Sequence, residues 1–308
     1  MTDGISAQFA HDEGGETPSA QPRARRVFDV VAGRAEPRRR RADPEITPVN
    51  ADALKAATRG FAPLARYHRL DVRGLDAIPD GPALLVGNHN GGLNPVDGLW
   101  LIHYYRRFGY DRPIYILAHD ILFKQPRIAE IIRSVGIIPA HPGNARRVLE
   151  AGHKLLVFPG GDIENLRPFR QRHKIVLAGR KGFARLSLRT GAPIVPIVNA
   201  GAHETLLVLS QGRRLAHRLG LHRWARIHSL PVLLAFPWGI LAGPACALPY
   251  LPLPAKVTVQ IGEPIAAEPV RAVDSPMSLV DHVYGRVEAT MQGILDMLYA
   301  ERSLPVIG

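Results

Sequence analysis

The residues able to do chemistry gather in two short stretches. The first is His89-Asn90-Gly91-Gly92-Leu93-Asn94-Pro95-Val96-Asp97, directly after the apolar run Ala83-Leu84-Leu85-Val86-Gly87-Asn88. If that run is a buried strand, His89 stands at its end, and a turn of glycines and a proline can return the Asp97 carboxylate to it. Such a pair is a general base with its orienting acid, because one ring nitrogen must be held as a donor before the other can accept a substrate proton. A base of this kind can activate an acceptor's own hydroxyl and needs no nucleophilic serine.

The second stretch, Phe158-Pro159-Gly160-Gly161-Asp162-Ile163-Glu164-Asn165-Leu166-Arg167, ends another apolar run, Leu155-Leu156-Val157. Backbone amides beside a glycine pair suit an oxyanion or a phosphate, and Arg167 could clamp a phosphate or carboxylate. The candidate site therefore comprises His89 and Asp97 as catalytic residues, with Asn88, Gly160, Gly161, Glu164 and Arg167 as substrate-binding ones. A plainer reading also exists: Pro-Gly-Gly as a tight turn, and Glu164 with Arg167 as a local ion pair at i, i+3.

The elements that must position these residues follow from the hydrophobic pattern. Leu54, Ala57, Phe61, Leu64, Ala65 and Tyr67 recur at near-helical spacing between Asn50 and Leu70. Strands are expected at 83–86, 113–118, 136–139, 155–158, 194–198 and 257–261. Helices are expected at 97–108, at 125–135 packed through Ile128, Ile131 and Ile132, at 145–150 capped by Asn144, and at 181–190. A closing helix is striped by Val280, Val283, Val287, Met291, Ile294 and Leu298. Strands alternating with helices predict a single-domain α/β sandwich with a mostly parallel sheet, whose functional groups sit in loops at strand ends.

Composition bounds the setting. The chain has 308 residues and a formal net charge of +12, which favours anionic partners. Residues 1–45 contain eight arginines and eight acids, so the excess positive charge belongs to the body. Residues 1–46 read as a disordered polar tail in which Arg38 to Arg41 could touch a membrane surface, and 47–308 as one globular domain. The single cysteine, Cys246, excludes an internal disulfide and reads as a packing residue. The first thirty residues lack an apolar core segment, so no secretory leader is expected and the cytoplasmic side is the default. Residues 229–255 carry no charge but contain six prolines, which argues against a straight spanning helix. The segment reads as membrane-dipping or interfacial, with a buried loop-and-helix and a true span as alternatives.

Taken in order along the chain, these strings resemble the glycerolipid and lysophospholipid acyltransferase superfamily, the PlsC-like proteins. The resemblance covers about residues 68–270. It rests on Asn88-His89…Asp97, on Phe158-Pro159-Gly160-Gly161, on Gly74 to Val86 before the histidine, on Gly191-Ala192-Pro193-Ile194-Val195-Pro196-Ile197, and on Val259-Gln260-Ile261-Gly262-Glu263-Pro264-Ile265. Two departures stand out. Family members place four residues between histidine and acid, which would put Asn94 at the acid's place, whereas seven residues separate Asp97 from His89. The Glu-Gly-Thr-Arg phosphate motif is also absent, and Pro159 to Glu164 is closer in style to the diacylglycerol acyltransferase-like branch, as is Arg180-Lys181-Gly182-Phe183-Ala184-Arg185.

The resemblance implies a glycerol-phosphate-acyltransferase-like fold. It also implies transfer of a fatty acyl group from acyl-CoA or acyl carrier protein to the hydroxyl of a glycerolipid or other lipid alcohol, in phospholipid or neutral-lipid synthesis. His89 would remove the hydroxyl proton, Asp97 would orient the imidazole, and amides near Gly160 and Gly161 would hold the thioester oxyanion. No cofactor and no metal is expected. The expected partners are the acyl donor, a lipid acceptor and a membrane surface on the cytoplasmic side, engaged peripherally or by shallow insertion, and nucleic acid is disfavoured. The same His-Asp pair could instead serve a thioesterase or lipid esterase, and the high charge alone would fit a non-catalytic basic protein binding membrane or nucleic acid. The absence of a Gly-x-Ser-x-Gly elbow argues against an α/β-hydrolase.

Overall fold

A computed structural model describes residues 46–90, 92, 95–218, 230–267 and 276–308. The disordered tail read at 1–46, apart from Ile46, lies outside the described residues, as does Asn94. The first helix, α1 (Ala51–Tyr67), starts where Asn50 caps it: the Asn50 side chain accepts from the amides of Asp52 and Ala53 at 2.9 and 3.0 Å.

The main sheet has seven strands: β1 (Asp71–Arg73), β2 (Leu84–Gly87), β3 (Ile114–Ala118), β4 (Ile137–Pro139), β5 (Lys154–Val157), β6 (Ile194–Ala200) and β10 (Thr258–Ile261), in the order β1-β10-β6-β2-β5-β3-β4. The run β6-β2-β5-β3-β4 is parallel throughout, and β10 lies antiparallel to β6. The connecting helices are α2 (Leu101–Phe108), α3 (Pro126–Ser134), α4 (Pro142–Glu150), α5 (Gly161–Asn165), α6 (Gly182–Thr190) and α7 (Arg213–Arg218), and α8 (Pro276–Ala300) closes the domain.

Strand alternation divides the core into two layers. Leu84, Val86, Leu155 and Val198 pack with Val148, Phe183, Val287 and Met291 of α4, α6 and α8. Leu85, Leu156, Val195 and Ile197 pack with Leu54 of α1, Ile102 of α2 and Trp100. Each such apolar side chain stabilises the fold by about 1.5–3 kcal/mol when fully buried. Because both faces are covered, β2 and β5 carry continuous apolar runs instead of polar alternation. Parallel pairing also sends the C-terminal ends of β6, β2, β5 and β3 to one edge of the sheet, the edge that receives ligands in open α/β folds.

Three local expectations change. Helix α3 is present, but Ile128 and Ile131 are 49% and 67% exposed while Ala129 is buried, because the helix lies at the β4 margin of the sheet and only one side of it is covered. Helix α4 begins three residues before Ala145, with the His141 side chain as its cap, and Asn144 instead donates to the Pro139 carbonyl at 3.1 Å. The described part of the apolar stretch at 229–255 has as helix only a short 3-10 turn, Gly243–Ala247. It also contains β8 (Val232–Ala235) and β9 (Gly239–Ala242), which join β7 (Leu207–Ser210) in a second, antiparallel sheet. Among the described residues no helix is long and apolar enough to cross a membrane.

Candidate active site

His89 stands two residues past the end of β2, and Asp97 lies in the 3-10 turn Pro95–Gly98. The turn brings the two together: His89 Nδ1 is hydrogen-bonded to Asp97 Oδ2. The carboxylate can only accept, so Nδ1 carries the proton and Nε2 is left as the basic nitrogen. The Asp97 carboxylate is itself fixed, accepting from the Asn90 amide at 2.9 Å and from Asn199 Nδ2 at 3.2 Å. The imidazole side chain is 30% exposed and the carboxylate only 7%, so the histidine is the member of the pair that a substrate can reach. Burial opposes charge on His89, but the hydrogen bond and charge of Asp97, and then the charge of Glu164, outweigh it, and the pKa lies above the usual 6.5.

The long gap between the partners is held closed from outside. Asn165 accepts from the Gly92 amide at 2.7 Å and donates to the Gly92 carbonyl at 3.2 Å, clamping the middle of the turn. Gly92 has φ of 77°, and a Cβ there would strike the Tyr250 hydroxyl and come within 2.8 Å of Leu206. Glycine is therefore required twice, by backbone conformation and by space. Gly87 has a similar steric role: a Cβ would approach the Phe158 ring to 2.7 Å, and that ring stacks on the His89 imidazole with centroids 5.1 Å apart.

The second stretch lies beneath the first. Glu164 is fully buried in α5, where its carboxylate accepts from the His89 amide at 2.9 Å and the Val176 amide at 3.1 Å. Burial pushes its pKa up to about 7 against the opposing effects of Arg167 and the two amides. Arg167, 1% exposed, donates to the carbonyls of His89, Glu164 and Gln171 at 2.9, 3.1 and 3.2 Å and to Asn90 Oδ1 at 2.8 Å. Its own carbonyl accepts from His203 Nε2 at 2.7 Å. Burial, then the Arg167 charge, hold the His203 pKa down at about 3, so that imidazole is neutral.

These positions correct the expectation that Asn88, Glu164 and Arg167 touch substrate. Asn88 is buried and paired with the backbone of Asn199, donating at 3.0 Å and accepting at 2.8 Å. Glu164 and Arg167 grip the backbone of His89 and Asn90 from below, with their hydrogen-bonding groups engaged inside the protein. Of the two glycines, Gly161 donates its amide to the Phe158 carbonyl at 3.1 Å, whereas the Gly160 amide makes no hydrogen bond among the described residues. A Cβ on Gly160 would collide with Glu164 and the Val176 carbonyl, so this position too admits only glycine. The sequence reading misses Phe158, Asn165 and Asn199 as partners of the pair. Asn165 and Phe158 at least stand in the flagged second stretch, but nothing local marks Asn199. Among the described residues no group of three metal-ligating side chains occurs.

An exposed imidazole on a buried acid, at the C-terminal edge of a mostly parallel sheet, defines an α/β protein equipped for general-base chemistry. Residues 69–200 match the family model described as Acyltransferase. The chain is 35% identical over 236 residues to an uncharacterized protein of Mycobacterium tuberculosis, an alignment covering 74% of this chain and 62% of that protein. It is 27% identical over 205 residues to the DGAT1/2-independent enzyme synthesizing storage lipids of Gallus gallus, covering 66% of this chain and 54% of the relative. It thus spans less than two thirds of the length of these relatives. The crystal structure of the 1-acyl-sn-glycerophosphate (LPA) acyltransferase PlsC from Thermotoga maritima superposes with a TM-score of 0.50 at 21% identity, covering 82% of this chain and 80% of that one, a likeness of fold.

Proposed function

We propose that the protein transfers a fatty acyl group from a thioester, acyl-CoA or acyl carrier protein, to the hydroxyl of a lipid alcohol, working at the cytoplasmic face of a membrane. The observation that carries this reading is the polarity of the dyad: Nδ1 of His89 is tied to a buried carboxylate and Nε2 is left for substrate. In the forward step Nε2 takes the acceptor's hydroxyl proton as that oxygen attacks the thioester carbonyl carbon. Asp97 stabilises the imidazolium, and the amide of Gly160 is the candidate donor to the oxyanion. Collapse of the tetrahedral intermediate breaks the C–S bond, and the imidazolium returns its proton to the departing thiolate. General-base assistance of this kind supplies about 10² to 10⁴ in rate, with positioning supplying much of the rest.

An uncharged acceptor is favoured. Arg167, the arginine of the second stretch, is buried and engaged with four internal acceptors, so it is not available to a phosphate on the acceptor. The name of the Gallus gallus relative, a storage-lipid enzyme, points the same way. The test is an acceptor panel with purified protein and labelled acyl-CoA. Monoacylglycerol or diacylglycerol should become acylated faster than lysophosphatidate. Release of free fatty acid with no acceptor consumed would replace transfer by thioester hydrolysis, and a preference for lysophosphatidate would overturn the neutral-acceptor assignment.

A further inference from the structure

Strand β6, Ile194-Val195-Pro196-Ile197-Val198-Asn199-Ala200, is buried along its whole length, and Asn199 carries its one polar side chain. The strand lies inside the sheet, between β10 and β2. Side chains alternate along a strand, so Asn199 shares the face of Val195 and Ile197, in the layer that also holds Leu85, Trp100 and its cross-strand neighbour Val259. An apolar side chain would suit those neighbours better than an amide.

The amide is used at one end. Asn199 is 4% exposed; its Nδ2 donates to Asp97 Oδ1 at 3.2 Å, while its Oδ1 has no hydrogen-bond partner among the described residues. Turning the group over would set oxygen against the carboxylate, so the donor has to face Asp97. A buried acceptor without a partner lowers stability. The fold tolerates that loss at the residue whose other end meets the acid of the dyad. The donor is also offered from a fixed place, because the Asn199 backbone donates to the Asn88 side chain at 2.8 Å and accepts from it at 3.0 Å.

We infer that Asn199 is a positioning residue for the base: its side-chain amide fixes the Asp97 carboxylate toward His89 and keeps the imidazole a free base closer to neutral pH. The inference deepens the acyl-transfer reading and rests on it for the role of His89. Its sign follows from charge. With His89 neutral the pair carries the negative charge of Asp97, whereas with His89 protonated the pair is neutral overall. A donor on Asp97 Oδ1 favours the first state, and removing it favours the imidazolium. The other charges facing the pair are Glu164 of α5 and Arg167 just after that helix, which raise and lower the imidazole pKa respectively. Both stay in place when Asn199 is changed.

The experiment is an NMR titration of the His89 ring, assigned by comparison with H89A, in wild type and N199L, alongside the pH profile of kcat/KM with labelled acyl-CoA and a lipid acceptor. In N199L the ring should titrate at a pH higher by about 0.5 or more, opposite to the change expected when the carboxylate itself is lost. At neutral pH kcat should fall about tenfold with KM within about twofold, as for a misplaced but intact base. Leucine removes the unpartnered acceptor together with the donor, so the urea midpoint should stay close to that of wild type. The wild-type protein supplies a second measurement that needs no variant: the Asn199 side-chain amide resonances should move with the same midpoint as the His89 ring. A His89 titration unmoved in N199L, or Asn199 amide resonances indifferent to it, overturns the inference. So does a loss of activity in N199L that merely follows a lowered urea midpoint, which would make Asn199 a residue of the core alone. A wild-type protein that transfers acyl groups to no acceptor would overturn the acyl-transfer reading alone, because the titrations report on the pair without turnover. Transfer by wild type with the His89 titration unmoved in N199L would overturn this inference alone.

Discussion

The turns after β2 and β5 are built from the same ingredients, an apolar strand, glycines and an acid, and they use their acids in opposite ways. Asp97 lies just under the surface and orients a partly exposed imidazole, so its charge acts toward the outside. Glu164 is sealed, with its oxygens on the amides of His89 and Val176, so its charge acts on the backbone of the other turn. The difference teaches that a polar residue at a strand end is not by that fact part of a substrate surface. One turn presents the chemistry, and the other is the mould that shapes it.

The contrast predicts two classes of variant. His89→Ala should give the largest effect, a fall in kcat of about 10³-fold or more with stability changed by no more than about 1 kcal/mol, read by steady-state assay and urea unfolding. Asp97→Asn should follow at about 10²- to 10³-fold in kcat, and adding Asn94→Asp should not restore it; full activity in Asp97→Asn would dissolve the dyad. Arg167→Met belongs to the other class and should cost about 3–5 kcal/mol of stability by leaving the Glu164 carboxyl without its buried partner. If it instead stayed fully stable but lost acceptor affinity, Arg167 would belong to the substrate surface after all. Asn165→Ala should be milder, about tenfold in kcat, because it frees Gly92 without touching either member of the pair.

The smallest effect is one of pH. His89 must be neutral to accept a proton, so kcat/KM should climb as pH rises through a pKa above 6.5. The sign for stability is opposite: a raised folded-state pKa means that the charged pair stabilises the fold fully below the unfolded value and loses that contribution as pH rises through the folded one. In Asp97→Asn the largest raising influence is gone and burial remains, so the residual activity should have its ascending limb at lower pH. A limb that does not move would mean that some group other than His89 titrates.

The alternating elements were legible because both faces of the sheet are covered, which writes β2 and β5 as unbroken apolar runs. The dyad was legible because histidine, glycines and aspartate lie within a single turn. Its supports were not, since Asn165 and Asn199 meet their partners across sequence separations of 73 and 102 residues, and no local pattern reports such contacts. Burial of Glu164 and Arg167 was hidden for a related reason: an i, i+3 ion pair has the same spelling on a surface as beneath a site. The β8–β9 hairpin escaped notice because an apolar run without polar alternation masks the period of two that announces a strand.

The reciprocal pairing of Asn88 with the backbone of Asn199 has a dynamic consequence. The two hydrogen bonds staple the end of β2 to β6, one residue before the base and at the residue whose side chain also holds Asp97. His89 and Asp97 are thus anchored to the sheet, and exchange of the buried Asn199 amide with solvent deuterium requires release of the Asn88 side chain, so it should be slow in the wild type and faster in Asn88→Ala. In this molecule the His89–Asp97 pair is borne by a central, buried part of the sheet.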